Sequence, residues 1–234
     1  LEIARLCRDG GVGYMASVWD LAFLEWIDEW MTIYKIGSGD LTARPIVREF
    51  ARRGKPMIVA TGVSTLADVL AEVDFIQSVN PAYRSDRMLA LLQCTSMYPI
   101  PDSDANLAVM ETLRRATGLA VGYSSHTEGG FPLRVAAAKG ARVLEFHFTD
   151  RREGQAFRDH KVSLMPDEVR ALQVDLDRIQ ALTGDGIKRP QPSELATGHV
   201  TSFRRAVYPA RDISTGERIQ ESDLICLRPN HGID

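Results

Sequence analysis

The chain has 234 residues, 44% hydrophobic and 25% charged, with a net charge of −3, the balance of one large globular domain with or without a small appendage. A mildly acidic chain with no run of Lys or Arg lacks a nucleic-acid footprint; no apolar stretch is long enough to span a bilayer, and no signal peptide opens the chain. Cys7, Cys94 and Cys226 sit in apolar contexts without metal-ligand spacing, which predicts buried thiols in a reducing, cytoplasmic compartment.

Leu1 to Arg8 is amphipathic and ends on Gly10, Gly11 and Gly13, as a helix ends. It reads as the last turns of a helix that followed an earlier strand, so a truncated N-terminus is expected. VGYMASVWD reads as a strand ending at Ser17, and LAFLEWIDEWM as a helix. YKIGSGD is the next strand, followed by a helix in ARPIVREFARRG with Pro45 in its first turn and Gly54 at its close. KPMIVATG is a strand, and STLADVLAEVDFIQSV a helix capped by Ser64 or Thr65. The strand LALLQCTSMYP is held extended by Pro99 and Pro101. NLAVMETLRRATG, LAVGYSSHT, GGFPLRVAAAKGA and RVLEFHFTD then alternate helix and strand, and SLMPDEVRALQVDLDRIQALTG is a long helix capped by Ser163 and closed by Gly184.

Six alternations at roughly 20 to 35 residues per unit predict an α/β fold with a parallel sheet and right-handed crossovers. A (β/α)₈ TIM barrel needs eight units and about 250 residues, so the sheet is either open or a barrel of which two units precede Leu1. Residues 1–184 form this domain. Residues 185–200 are polar and loop-like, a linker, and 201–234 hold short β pieces, RRAVYPA and DLICLRP, around the turn ISTGERI.

Each β segment turns polar at its C-terminal end, where α/β folds keep their chemistry. Lys35 inside an apolar strand is costly to bury and calls for an anionic partner, and with Ser38 it suits a phosphate or carboxylate. Ser17, Thr61, Ser96 and Ser124 add hydroxyls at other strand ends; each alone is commonly structural, and their weight lies in convergence. His126 and His147 end consecutive strands. Neighbouring parallel strands lie about 5 Å apart, so the two read either as joint ligands of one divalent cation or as hydrogen-bonded structural histidines. Glu145 shares a face with His147 as a ligand, a supporting partner or half of an ion pair. Tyr98 suits sugar stacking or simple packing, and Asp40 and Asp159 lie in loops where carboxylates are ordinarily solvated.

YKIGSGD, GKPMIVATGVST, LLQCTSMYPIPDSDANL, VGYSSHTEGG, GARVLEFHFTDRR, DHKVSL and LRPNHGI, in this order, resemble the N-acetylneuraminate (sialic acid) synthase family from about Val12 to the end. The resemblance implies a metal-dependent TIM barrel, about six of whose eight βα units are present here, and the start of a C-terminal antifreeze-like (SAF) domain at 201–234. It implies condensation of phosphoenolpyruvate with N-acetylmannosamine or a related amino sugar, with release of phosphate, in a homodimer whose SAF domains are exchanged between chains. By position, His126 and His147 correspond to ligands of manganese, with magnesium or cobalt as alternatives. Lys35, Ser38, Ser17 and Ser124 correspond to the phosphoenolpyruvate site, with Thr61 beside them, and Ser96 and Tyr98 to the boundary between the enolpyruvate and the sugar. Lys35 and Asp40 are the catalytic candidates, Asp40 standing where the family often has a glutamate. Asp159 corresponds to a contact with the amino sugar, and Arg228 to the SAF arginine that reaches the N-acetyl group in the partner subunit.

The chain departs from the family pattern at four places. Phe146 replaces a Lys or Arg, Ala60 replaces a serine, Ser125 replaces an aspartate, and Ala156 to His160 replaces a glycine-proline run. The family's first strands, with an acidic residue and a further phosphate-binding lysine, do not appear in the sequence. A non-catalytic sugar-phosphate binding or regulatory homologue is the alternative, and an aldolase-type barrel with Lys35 as Schiff base is the third reading.

Overall fold

A computed structural model describes residues 1–233, which divide into a unit spanning Leu1–Gly184 and a second unit from Asp185 on. In the first unit, helices α1 (Glu2–Asp9) and α2 (Leu21–Ile27) precede strand β1 (Tyr34–Ile36). There follow α3 (Arg44–Arg53), β2 (Met57–Ala60), α4 (Leu66–Val79), β3 (Leu89–Cys94), α5 (Val109–Thr117), β4 (Ala120–Ser124), α6 (Phe131–Ala138), β5 (Leu144–Glu145), α7 (Asp159–Val162) and α8 (Pro166–Thr183). Strands β1 to β5 pair in sequence order, all parallel. A sheet that adds each new strand beside the last, with a helix between, is a parallel half-barrel of the TIM type.

Alternation along the strands sorts the core. Tyr34, Ile36, Met57, Val59, Leu89, Leu91, Val121 and Tyr123 join the large core beneath the helices, while Ile58, Ala60, Leu92 and Cys94 form a smaller cluster with Val143 on the other face, as a period of two demands. Gly122 belongs to that second face. A Cβ there would lie 2.2 Å from the Val143 carbonyl oxygen and 2.7 Å from Leu92 Cδ2, so only glycine lets β4 and the chain entering β5 approach. Thr65 caps α4 in a reciprocal box with Asp68: its Oγ1 accepts from the Asp68 amide at 3.2 Å and its own amide donates to the Asp68 carboxylate at 2.8 Å. Gly54 and Gly118 end α3 and α5 in the left-handed conformation. Near the N-terminal end of β1, Asp28 gathers the Tyr34 hydroxyl, Lys55 Nζ at 3.0 Å and Arg53 Nη1 at 3.5 Å.

Several expectations are corrected. VGYMASVWD is no continuous strand: only single parallel bridges, Tyr14 to Met31 and Ser17 to Lys35, tie it to its neighbours. RVLEFHFTD keeps two residues of ladder in β5, after which the chain bends away to bridge Leu164 through Phe148. Ser163 does not cap α8, because its hydroxyl donates to the Asp159 carbonyl; Met165 holds the cap position, and its amide donates to Glu168 at 2.8 Å. Of the three cysteines only Cys94 is buried; Cys7 is partly exposed on α1 and Cys226 is exposed.

In the second unit the expected linker is not all loop, since it contains α9 (Pro192–Ala196) and α10 (His199–Ser202). Strands β6 (Ala206–Pro209) and β7 (Leu224–Leu227) then pair antiparallel. Among the described residues no helix is long and apolar enough to cross a membrane.

Candidate active site

At the C-terminal ends of β1, β3, β4 and β5 a cleft of about 530 Å³ opens over the smaller apolar cluster. The strands place its side chains by register. Cys94, Ser124 and Glu145 are direct neighbours across β3, β4 and β5, and Ser124 Oγ donates to Glu145 Oε1 at 2.8 Å. Lys35 points to the same face, because its neighbours Tyr34 and Ile36 fill the large core. It is 8% exposed, and its Nζ lies 3.3 Å from Glu145 Oε2 and 3.3 Å from the Ile36 carbonyl oxygen. That contact places Lys35 as a hydrogen-bond donor beside the Glu145 carboxylate. The same pairing shows why Phe146 is tolerated: its ring turns into the large core, and Lys35 supplies the cation for Glu145.

Strand ends also set the loops. After β1, Gly37 leads into a single 3₁₀ turn, Ser38–Asp40, which carries Ser38 and Asp40 into the cleft. Ser38 Oγ accepts from the Gly62 amide at 3.0 Å. A Cβ on Gly62 would sit 2.3 Å from Ser96 Oγ and 2.8 Å from Ser38 Oγ, so glycine is what lets the loop after β2 close on both serines. Ser17 and Trp19 line the cleft from the segment bridged to β1.

His126 and His147 face each other with ring centroids 5.3 Å apart. Tyr98 lies 4.0 Å from the His126 ring and edge-on to His147 at 5.5 Å. His126 Nδ1 is 2.7 Å from the Thr95 carbonyl oxygen, which only accepts, so Nδ1 carries the proton and Nε2 keeps its lone pair. His147 Nδ1 is 3.5 Å from Asp159 Oδ2, an arrangement that leaves Nε2 of the second ring for a further partner. Burial alone would lower the His126 pKa; contacts with the Cys94 thiol and the Thr95 carbonyl outweigh it and raise the value. Burial, reinforced by the neighbouring His126, lowers that of His147. Burial pushes the Cys94 thiol up, yet hydrogen bonding to His126 and Ser38 brings it below its ordinary value.

The donor set fits a divalent cation. Two imidazoles bound to one ion at about 2.1 Å span at most about 6.5 Å between centroids, and 5.3 Å lies inside that span. Among the described residues no group of three or more His, Cys, Asp or Glu side chains is placed to hold a metal ion.

Of the residues singled out from sequence, Ser17, Lys35, Ser38, Asp40, Ser96, Tyr98, Ser124, His126 and His147 line this cleft, and Asp159 stands behind His147. Thr61 does not. It follows Ala60, which faces the cleft, so alternation turns it outward, where its hydroxyl donates to the Leu92 carbonyl at 2.9 Å. Arg228 belongs to the second unit, its guanidinium 5.9 Å from the Phe203 ring. Sequence reasoning passed over Cys94 and Arg158. The register of LLQC against GYS points to the first; nothing local in the sequence marks the second, whose guanidinium stacks 4.8 Å over Tyr98.

The NeuB family model matches residues 1–188. The N,N'-diacetyllegionaminic acid synthase of Campylobacter jejuni is 34% identical over 233 residues, which cover 99% of this chain and 68% of that protein. The human N-acetylneuraminate-9-phosphate synthase is 31% identical over 198 residues, covering 83% of this chain and 53% of that protein. The crystal structure of the N-acetylneuraminic acid (sialic acid) synthetase of Leptospira borgpetersenii, in complex with citrate, superposes with a TM-score of 0.76 at 27% identity, over 85% of this chain and 68% of that one. The chain thus spans about half to two thirds of the length of the curated relatives it matches.

Proposed function

This chain belongs to the NeuB family, and from that premise we propose that the protein condenses phosphoenolpyruvate with an N-acetylated amino sugar, N-acetylmannosamine or a related compound. The products are a nonulosonic, sialic-type acid and inorganic phosphate. The observation that carries the reading is the pair of facing imidazoles, each with Nδ1 turned to an acceptor, beside a buried lysine in one cleft.

In this reaction carbon 3 of phosphoenolpyruvate bonds to the aldehyde carbon of the open-chain sugar, water adds at carbon 2, and the C–O bond to phosphate breaks. Lys35, Ser38 and Ser17 donate hydrogen bonds to the phosphate and carboxylate, and Ser124 does so once its hydroxyl turns from Glu145, so that two anionic groups sit close to an electrophile. Ser96 and Tyr98 separate the enolpyruvate from the sugar, and Asp159 receives sugar hydroxyls while orienting His147. Asp40 holds the attacking water and takes its proton. His126 and His147 would hold a divalent cation, manganese by preference, through Nε2, and the ion would supply polarisation of the aldehyde oxygen. Residues 201–234 serve as the beginning of an SAF domain, and Arg228 contributes to the site of the partner subunit in a homodimer.

The test is phosphate release from phosphoenolpyruvate by the whole protein, with N-acetylmannosamine and Mn²⁺ present or omitted. The reading predicts release that requires both, with a 2-keto sugar acid formed one for one. Binding of phosphoenolpyruvate without release under any combination of amino sugar and metal would leave only a sugar-phosphate binding protein.

A further inference from the structure

We propose that Arg158 selects an acceptor sugar whose far end carries an oxyanion, a phosphate ester or a carboxylate. The residue stands where the resembled pattern has a glycine-proline run, immediately before Asp159 at the start of α7. Its Cζ lies 4.8 Å from the centroid of Tyr98, and that ring lies 4.0 Å from His126. Its Nε is 3.7 Å from Asp159 Oδ1. These contacts hold the plane of the guanidinium, while the side chain remains 67% exposed and, among the described residues, neither terminal amino group meets an acceptor. A stacked, planar guanidinium with two free N–H groups is the fork that binds phosphate or carboxylate in a bidentate fashion.

Distance allows that fork to meet the tail of the acceptor. Cζ is no farther from the His126 ring than those two separations together. An extended chain gains about 1.2 Å per bond, so in an open-chain hexosamine held by its aldehyde at the histidines, a phosphorus on the sixth carbon lies about 8 Å away. The deeper cation, Lys35 beside Glu145, is taken in this reading by the phosphate and carboxylate of phosphoenolpyruvate and is not left for the acceptor's far end. The assignment of the acceptor rests on the synthase reading; the presence of an anion-binding fork at the rim does not.

The experiment measures affinity by calorimetry, and KM where there is turnover, for three probes on the whole protein: N-acetylmannosamine, its 6-phosphate and its 6-carboxylate. The natural protein, Arg158→Gln and Arg158→Lys are compared. The expected result is a preference for the acidic probes that falls about tenfold or more in Arg158→Gln and is kept only in part in Arg158→Lys, which retains the charge and loses the stacked, bidentate fork. A preference for the neutral sugar in the natural protein, or an acidic-to-neutral ratio that Arg158→Gln leaves unchanged, overturns the proposal. So does an equal loss for all three probes, since Arg158 would then act only by positioning Tyr98. Absence of turnover with every probe, alongside an intact binding preference, counts against the synthase reading and leaves this one standing.

Discussion

Glu72 lies within α4 with its side chain 2% exposed, and its Oε1 has no hydrogen-bond partner. Its Oε2 accepts from Arg44 Nε at 3.2 Å, so this pair fastens α3 to α4, the helices that follow the two strands leading to Ser38 and Gly62. Burial pushes the Glu72 carboxyl above its ordinary value of 4.5, and Arg44 offsets only part of that rise. Arg44→Met keeps an apolar stem near Phe75, over which the guanidinium now stacks at 4.9 Å, and removes the charge. Losing one partner of a fully buried pair costs about 3–5 kcal/mol. Because the Arg44 side chain is 52% exposed, solvent already screens part of the interaction, and about 2 kcal/mol is expected near neutral pH. A carboxyl whose pKa is higher in the folded than in the unfolded chain weakens folding as pH rises above the unfolded value. Without Arg44 the folded value climbs further, so the deficit is largest at neutral pH and shrinks as pH falls toward 4.5. Urea unfolding of both proteins between about pH 5 and 8 measures this. A deficit that is constant with pH, or below about 0.5 kcal/mol throughout, refutes the reasoning.

Two glycine substitutions separate packing from binding. Gly122→Ala drives a methyl group into the Val143 carbonyl and Leu92, neither of which has room to yield, and is expected to cost about 1–3 kcal/mol in urea unfolding; a loss within about 0.5 kcal/mol contradicts the close approach of β4 to the chain entering β5. Gly62→Ala meets the hydroxyls of Ser96 and Ser38, which can turn aside, and Ser38 Cβ at 3.1 Å, where a small shift suffices. Stability is therefore expected to fall by less than about 1 kcal/mol, while KM for phosphoenolpyruvate rises about tenfold in steady-state kinetics; an unchanged KM would remove Ser38 and Ser96 from the binding site.

Much of the site was legible because its residues obey the strand period. Lys35 between two core residues, Glu145 and His147 on either side of Phe146, and polar groups gathered at strand ends all follow from alternation and chain direction. The same rule, applied one residue further, turns Thr61 away, and the hydroxyl-at-a-strand-end argument missed this because it counted residue type without facing. Ser163 was misread because a serine shortly before an apolar-periodic helix suggests a cap, whereas Glu168, held by Arg152, accepts from the Met165 amide and moves the cap two residues on. Arg158 over Tyr98 and Asp159 behind His147 join positions 60 and 12 residues apart through loop geometry, which no periodicity encodes. The short helices α9 and α10 lie in a polar stretch without an apolar stripe, so the usual helical signal was absent there.

The central claim is that His126 and His147 hold one cation between them. Titration of Mn²⁺ into the natural protein, His126→Ala and His147→Ala, followed by the loss of the free-ion paramagnetic resonance signal, tests it without depending on turnover. The account predicts one strong site per chain and a loss of affinity of at least about tenfold in each variant, with folding shown intact by far-ultraviolet circular dichroism. Equal Mn²⁺ affinity in all three proteins would contradict it.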